Sequence, residues 1–145
     1  MSYTITVRII DATTGNPGFK LVEKTVWHYA NGGTWSNTDS IETLVMGGSG
    51  TSGALRFING AGEEFLVTLG IHNYKRWCDI VTDLAPGDTG MKIQPEYYSD
   101  SSARNQMLWK QLDHIQKKSA KGTSVDVKYV EEVGNSFVVH IFISC

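Results

Sequence analysis

Apolar side chains recur at every second position near both ends of this chain, and that period restricts its fold more than any other feature. Tyr3, Ile5, Val7 and Ile9 alternate with Thr4, Thr6 and Arg8, and Val125, Val127 and Tyr129 repeat the rhythm. Successive strand residues point to opposite faces, so a period of two builds a strand with one face buried and one wet. Turn-forming stretches punctuate the sequence at Thr13–Gly18 (TTGNPG), Asn31-Gly32-Gly33, Asn59-Gly60-Ala61-Gly62 and Gly134-Asn135. They bound extended segments at Phe19–Tyr29, residues 41–46, Leu55–Ile58, Phe65–Leu69 and Phe137–Ile143. The 59–62 stretch between two apolar runs is a strong hairpin signal. About seven short strands with regular turns predict a mainly β chain folded as a two-sheet β-sandwich.

The middle of the chain breaks the pattern. Asp79–Leu84 predicts a helical turn ahead of Pro86-Gly87, and residues 104–118 set Met107, Leu108, Leu112 and Ile115 at near-helical spacing. Ser101 or Ser102 is suited to cap that helix, and Lys117 with Lys118 suits its negative end. The expectation is a helical insertion between two β halves, within one domain covering residues 1–145.

Composition removes several function classes. With 41% hydrophobic and 10% aromatic residues the chain is globular, and a formal charge of −2 argues against a general nucleic-acid binder. Lys117, Lys118 and Lys121 read as a solvated face. No run approaches the ~20 apolar residues of a membrane span. The opening MSYTITVRII lacks the architecture of a signal peptide, and two cysteines, Cys78 and Cys145, make no disulfide framework. A cytoplasmic location with free thiols is expected.

Catalytic chemistry finds few candidates. His28, His72, His114 and His140 form neither an HExxH pair nor a zinc-type cluster, so no metal or other cofactor is expected. A His72–Cys78 dyad is conceivable, but Cys78 lies among apolar and aromatic neighbours, where a thiol is normally inert. Glu63 and Glu64 are adjacent strand residues that point apart. Asp79 and Asp83, four apart, would share a helical face, yet a glycosidase needs a second acid across a cleft. No catalytic residue is assigned.

Binding chemistry is better supplied. Residues 46–53 read MGGSGTSG, four glycines and three hydroxyls without charge. Glycine allows close approach to the backbone, and hydroxyls both donate and accept. The phosphate-loop spacing GxxxxGK[ST] is absent, so a neutral hydroxyl-rich ligand fits better than a phosphate. Residues 70–79, GIHNYKRWCD, add His72 and Asn73 just after a strand, and an amide that donates and accepts matches vicinal sugar hydroxyls. The stretch Tyr29-Ala30-Asn31-Gly32-Gly33 offers backbone N–H groups beside an aromatic ring that can cover the apolar face of a galactose-type sugar.

Three segments, 23–35 (EKTVWHYANGGTW), 46–57 (MGGSGTSGALRF) and 70–82 (GIHNYKRWCDIVT), closely resemble the fungal fruit-body lectins, and the likeness extends through the YYSDSS…KQL region. The resemblance implies an actinoporin-like sandwich of two sheets joined by a helix–loop–helix segment, assembled as a homotetramer. It implies binding of galactose-β-1,3-N-acetylgalactosamine, the Thomsen–Friedenreich disaccharide, or N-acetylgalactosamine on O-glycosylated glycoproteins, with a role in fungal defence. The implied galactose-type site is Ala30, Ser49, Gly50, His72 and Asn73, with backbone N–H groups from Ala30 and Gly50, the Ser49 hydroxyl and the Asn73 amide; His72 shapes the wall. A second, N-acetylglucosamine site is implied at Asp79, Ile80 and Thr82, with Arg104 matching across a one-residue insertion. The family's tyrosine aligns with Ile115, next to His114, so a phenol donor is lost and this second site is expected to be weakened. The actinoporin-like architecture also suggests membrane insertion as an alternative, though that would require a detachable amphipathic helix ahead of the first strand.

Overall fold

In the computed structural model, residues 2–14, 18–27 and 32–145 are described, and they carry ten strands. These are β1 (Tyr3–Asp11), β2 (Lys20–Trp27), β3 (Gly33–Thr38), β4 (Ile41–Met46), β5 (Ser52–Ile58), β6 (Glu64–His72), β7 (Lys75–Val81), β8 (His114–Lys118), β9 (Ser124–Val133) and β10 (Ser136–Ser144). One sheet has the order β3-β4-β1-β10-β9-β8 and the other β2-β5-β6-β7. At the centre of the larger sheet β1 runs parallel to β10, with Ile5 beside Phe137 and Val7 beside Val139. The first and last strands thus close the domain on each other.

The two sheets face across a core in which Ile5, Val7, Val139 and Ile141 meet Leu55, Val67, Leu69 and Ile80, all buried. The larger sheet keeps its other face towards water, which is why β1 and β9 alternate so plainly in sequence. In the smaller sheet β5, β6 and β7 are covered on both faces, while β2 alternates exposed and half-buried residues. Behind the sheet Ala54, Leu66 and Trp77 pack against Ile93, Tyr97 and Leu108 from the segment that joins β7 to β8. That segment contains α1 (Gly90–Ile93), 3₁₀ turns at Gln94–Tyr98 and Ala103–Asn105, and α2 (Gln106–Lys110).

The predicted helical insertion is present but smaller than the sequence suggests. Asp79–Leu84 is not a helical turn: residues through Val81 belong to β7, which pairs Val67 with Ile80 and Leu66 with Val81. A strand buried on both faces loses the alternation that marks strands, and KRWCDIV shows none. The helix expected over 104–118 survives only as α2. Gln111, in the left-handed region at φ 48°, ends it, and β8 takes over at His114. Leu108 enters the smaller cluster, whereas Leu112 and Ile115 reach the main core from beyond the helix, so their helical spacing is a coincidence of two destinations. Lys117 and Lys118 therefore sit on a strand and not at a helix end. Ser102 does act as a cap, accepting from the Arg104 N–H at 3.2 Å, but for the short 3₁₀ turn. Strand β3 was not foreseen, because its GTWSNT sequence is polar and its turn to β4 uses Asp39 and Ser40 at φ 52° and 67° without a glycine.

Close approach at one glycine lets the side chains of the two flanking strands, β5 and β7, close over β6. A Cβ at Gly70 would lie 2.7 Å from both the Ser52 Cβ and the Trp77 Nε1, and 2.9 Å from the Thr51 carbonyl oxygen. Gly70→Ala is expected to destabilise the domain by about 1–3 kcal/mol through overpacking, read as a lower urea midpoint with an unchanged m-value.

Candidate functional site

At one end of the smaller sheet, the loop from β4 to β5 meets the turn from β6 to β7. The second is a two-residue hairpin: His72 pairs with Lys75, and Asn73 and Tyr74 both have positive φ, 49° and 68°. Two consecutive positive angles give the turn type whose twist matches a hairpin, and Asn is among the residues that tolerate it. Ser49 accepts a hydrogen bond from the Tyr74 N–H at 3.0 Å, so the two loops are joined. Its oxygen occupied as an acceptor, the Ser49 hydroxyl keeps its proton available to a ligand. Gly50 adopts φ 94° and donates its N–H to the Ile71 carbonyl at 2.8 Å. This corrects the expectation of a Gly50 N–H presented to a ligand, because the hairpin already uses it.

Between these loops lies an open cleft of about 420 Å³ lined by Ser49, Gly50, His72, Asn73, Tyr74 and Tyr98. Four of the residues expected at the galactose-type site thus come together from two segments of the chain; Ala30 lies outside the described residues. Asn73 is exposed, its amide facing solvent at the turn. His72 forms a wall, with its ring edge-to-face against Trp109 at a centroid distance of 4.4 Å. Burial pushes its imidazole below the ordinary value of 6.5.

Tyr98, which lines the cleft, and Trp109, which packs on its His72 wall, escaped sequence reasoning, since both come from the irregular covering segment. Tyr98 stacks on Trp27 at 4.8 Å and donates to the Ser52 hydroxyl at 2.8 Å. Burial pushes its phenol up to about 12, so it stays protonated and neutral. Gln94 donates to both oxygens of Ser52 at 3.0 Å and accepts from Thr25 at 2.7 Å, which fixes the floor beneath the cleft. The arrangement is uncharged, rich in hydroxyl and amide groups and edged by aromatic rings.

Comparison with known proteins then places the chain. The profile of the fungal fruit body lectins matches residues 1–141. The chain belongs to that family. It is 47% identical over 144 residues to the Boletus edulis lectin, covering 99% of this chain and 100% of the relative. The fold matches the wild-type Xerocomus chrysenteron lectin with a TM-score of 0.93 at 46% identity, covering 99% of each chain. A lipid-binding protein, Nakanori, shares the fold alone, with a TM-score of 0.62 at 9% identity over 99% of this chain and 71% of that one. Family membership makes this a carbohydrate-binding lectin.

The residues expected at a second lectin site are arranged differently. Asp79 is buried on the covered face of β7, where one carboxylate oxygen accepts from Tyr97 at 2.7 Å and the other lies 3.7 Å from the Lys117 Nζ. Burial, then the Asp79 charge, drives the Tyr97 phenol well above its usual range, with Arg104 acting in the opposite sense. Arg104 is bonded to Glu96 at 2.8 Å. The Ile80 side chain points the other way, fully buried between the sheets, so only its backbone can serve a ligand. Thr82 is half-buried just past the strand, and Ile115 packs against the main core.

Two arrangements that would support chemistry are not formed. Cys78 faces the main core and donates to the Leu112 carbonyl at 3.4 Å, and burial pushes its thiol up to about 12, so it is no partner for His72. Asp79 and Asp83 share no helical face. Asp79 is tied to Tyr97, while the exposed Asp83 accepts from the Ala120 N–H at 3.1 Å.

The lowered His72 value has a defined consequence for stability. In the unfolded chain the ring takes up a proton near pH 6.5, whereas the folded chain holds it neutral to lower pH. Its contribution is therefore complete above about 6.5 and is lost as the pH falls from there through the folded-state value. The urea midpoint of the wild type is expected to fall on acidification across this window, and His72→Gln to remove part of that fall. A pH-independent gap between the two proteins would show that His72 does not titrate there.

Proposed function

We propose that the cleft between the Ser49 loop and the Asn73 turn binds galactose-β-1,3-N-acetylgalactosamine and N-acetylgalactosamine on mucin-type O-glycans. The observation that carries this reading is the convergence of Ser49, Gly50, His72 and Asn73 on one open, uncharged cleft. A hydroxyl free to donate and an exposed amide match a ligand bearing vicinal hydroxyls, and the Tyr74 and Tyr98 rings match its apolar face. Ala30 completes the set by resemblance. A second site for N-acetylglucosamine at Asp79, Thr82, Arg104 and the Ile80 backbone is proposed to be weak, because Ile115 brings no phenol and packs on the core. The proposed working form is a homotetramer of cytoplasmic origin that acts in defence against organisms displaying such glycans. Membrane insertion has less support: the lipid-binding neighbour shares only the fold, and no helix among the described residues is long and apolar enough to cross a bilayer.

A glycan array run with and without free Thomsen–Friedenreich disaccharide tests the reading. Selective binding to core mucin glycans, abolished by the free sugar, is expected. Asn73→Gly retains the φ of 49° at the turn and deletes only the amide, and is expected to weaken binding about 10-fold. Unchanged binding would remove Asn73 from the site. In the same variant N-acetylglucosamine is expected to bind weakly, and affinity as high as the wild type's for the disaccharide would contradict the role given to Ile115.

A further inference from the structure

Of the four tryptophans, Trp27 and Trp35 are partly buried and Trp77 fully, whereas Trp109 is 60% exposed. We propose that Trp109 is a stacking platform beside the cleft, on which a second sugar ring of an extended glycan packs while the first is held by Ser49, His72 and Asn73. The proposal rests on the sugar reading of the cleft.

Three observations support it. The Trp109 ring meets His72 at 4.4 Å with the planes at 88°, so it stands against the residue that forms the cleft wall. Its position is fixed from both sides. Leu108, one residue earlier, is buried in the cluster behind the smaller sheet. Gln111, two residues later, donates to the His72 carbonyl at 2.8 Å, and its own carbonyl accepts from Arg76 at 2.8 Å. Helix geometry then turns Trp109 away from Leu108 by about 100° and holds it outward. Thirdly, Leu108 already seals the cluster, so the exposed Trp109 face is not needed to complete the core. A rigid aromatic side chain loses little conformational freedom on binding and offers a broad apolar face. A pyranose has a face of C–H groups that such a ring can cover, while its hydroxyls stay in water.

The test compares the wild type, Trp109→Ala and Trp109→Phe by calorimetry against N-acetylgalactosamine, the Thomsen–Friedenreich disaccharide and a longer O-glycan containing it. Trp109→Ala is expected to weaken the longer glycan about 3- to 10-fold more than the monosaccharide, and Trp109→Phe to recover most of that difference. In the wild type the longer glycan is expected to shield fluorescence from acrylamide more than the monosaccharide does, without any mutation. Equal loss on all three sugars would overturn the proposal and make Trp109 a prop for His72; no loss on any would overturn it too. If the wild type binds no sugar, the cleft reading itself has failed and takes this one with it. If it binds and Asn73→Gly weakens it while Trp109→Ala does not discriminate, this proposal alone is wrong.

Discussion

Strands β5, β6 and β7 of the smaller sheet have almost no face left for water, and most of the remaining structure follows from that. Seven consecutive residues of β6, Phe65 to Ile71, are buried. One side is closed by the larger sheet, so the other must be closed by the chain between β7 and β8. Apolar anchors alone do not suffice, because Thr68 and Asp79 face that side as well. A buried carboxylate without partners is costly, and the Tyr97 hydroxyl supplies one from within the covering segment. The segment is irregular because it must deliver Ile93, Tyr97 and Leu108 to fixed places on a flat sheet, a task that two short helices and 3₁₀ turns accomplish where one long helix would not.

The cleft is a consequence of where this packing stops. Beyond His72 the β6–β7 hairpin leaves the shelter of its cover and turns, exposed, beside the Ser49 loop. The two loops are cross-linked by backbone groups: Gly50 donates to Ile71, and Ile71 donates to Thr51. With the Ser49–Tyr74 bond this makes a preorganised rim, so little ordering remains to be done by a ligand. The cleft is nevertheless open, and an open polar site with few donors belongs to the weak end of recognition, about −4 kcal/mol at a Kd of 1 mM. Attachment to a glycan-covered surface through such a site requires several copies acting together, which can raise avidity by ~10²–10⁴. The proposed homotetramer would supply them.

How far the sequence could be read tracks how each strand is buried. β1 and β9 have one wet face and show period two, and β10 was legible as an apolar run bounded by the Gly134-Asn135 turn. The 59–62 hairpin follows from the Asn59 side chain, which accepts from Ala61 and Glu63 N–H groups. β7 was hidden because both of its faces are buried, and β8 because Leu112 and Ile115 imitate a helix that Gln111 ends. β3 was hidden because its turn has no glycine. The cleft residues Ser49, Gly50, His72 and Asn73 were visible through glycine and polar residues outside strands, and through resemblance. Tyr98 and Trp109 were not. Their roles depend on which way an irregular segment aims each side chain, and no local pattern records that.

Backbone strain is concentrated at the same rim. Tyr74 sits at φ 68°, a region where a side chain with a Cβ is disfavoured by roughly 1–2 kcal/mol, and its ring is 76% exposed. A glycine there would relax the turn without loss to the core, since the ring fills no cavity in it. The bond from the Tyr74 N–H to Ser49 offsets part of the strain and, in doing so, leaves the single proton of the Ser49 hydroxyl free to donate. Asn73 tolerates the preceding left-handed position better than most residues, and its amide is left unburied. The hairpin alone would be served as well by Asn-Gly. What Tyr74 adds beyond that is a ring on the edge of the cleft, carried by a turn whose backbone N–H is bonded to Ser49.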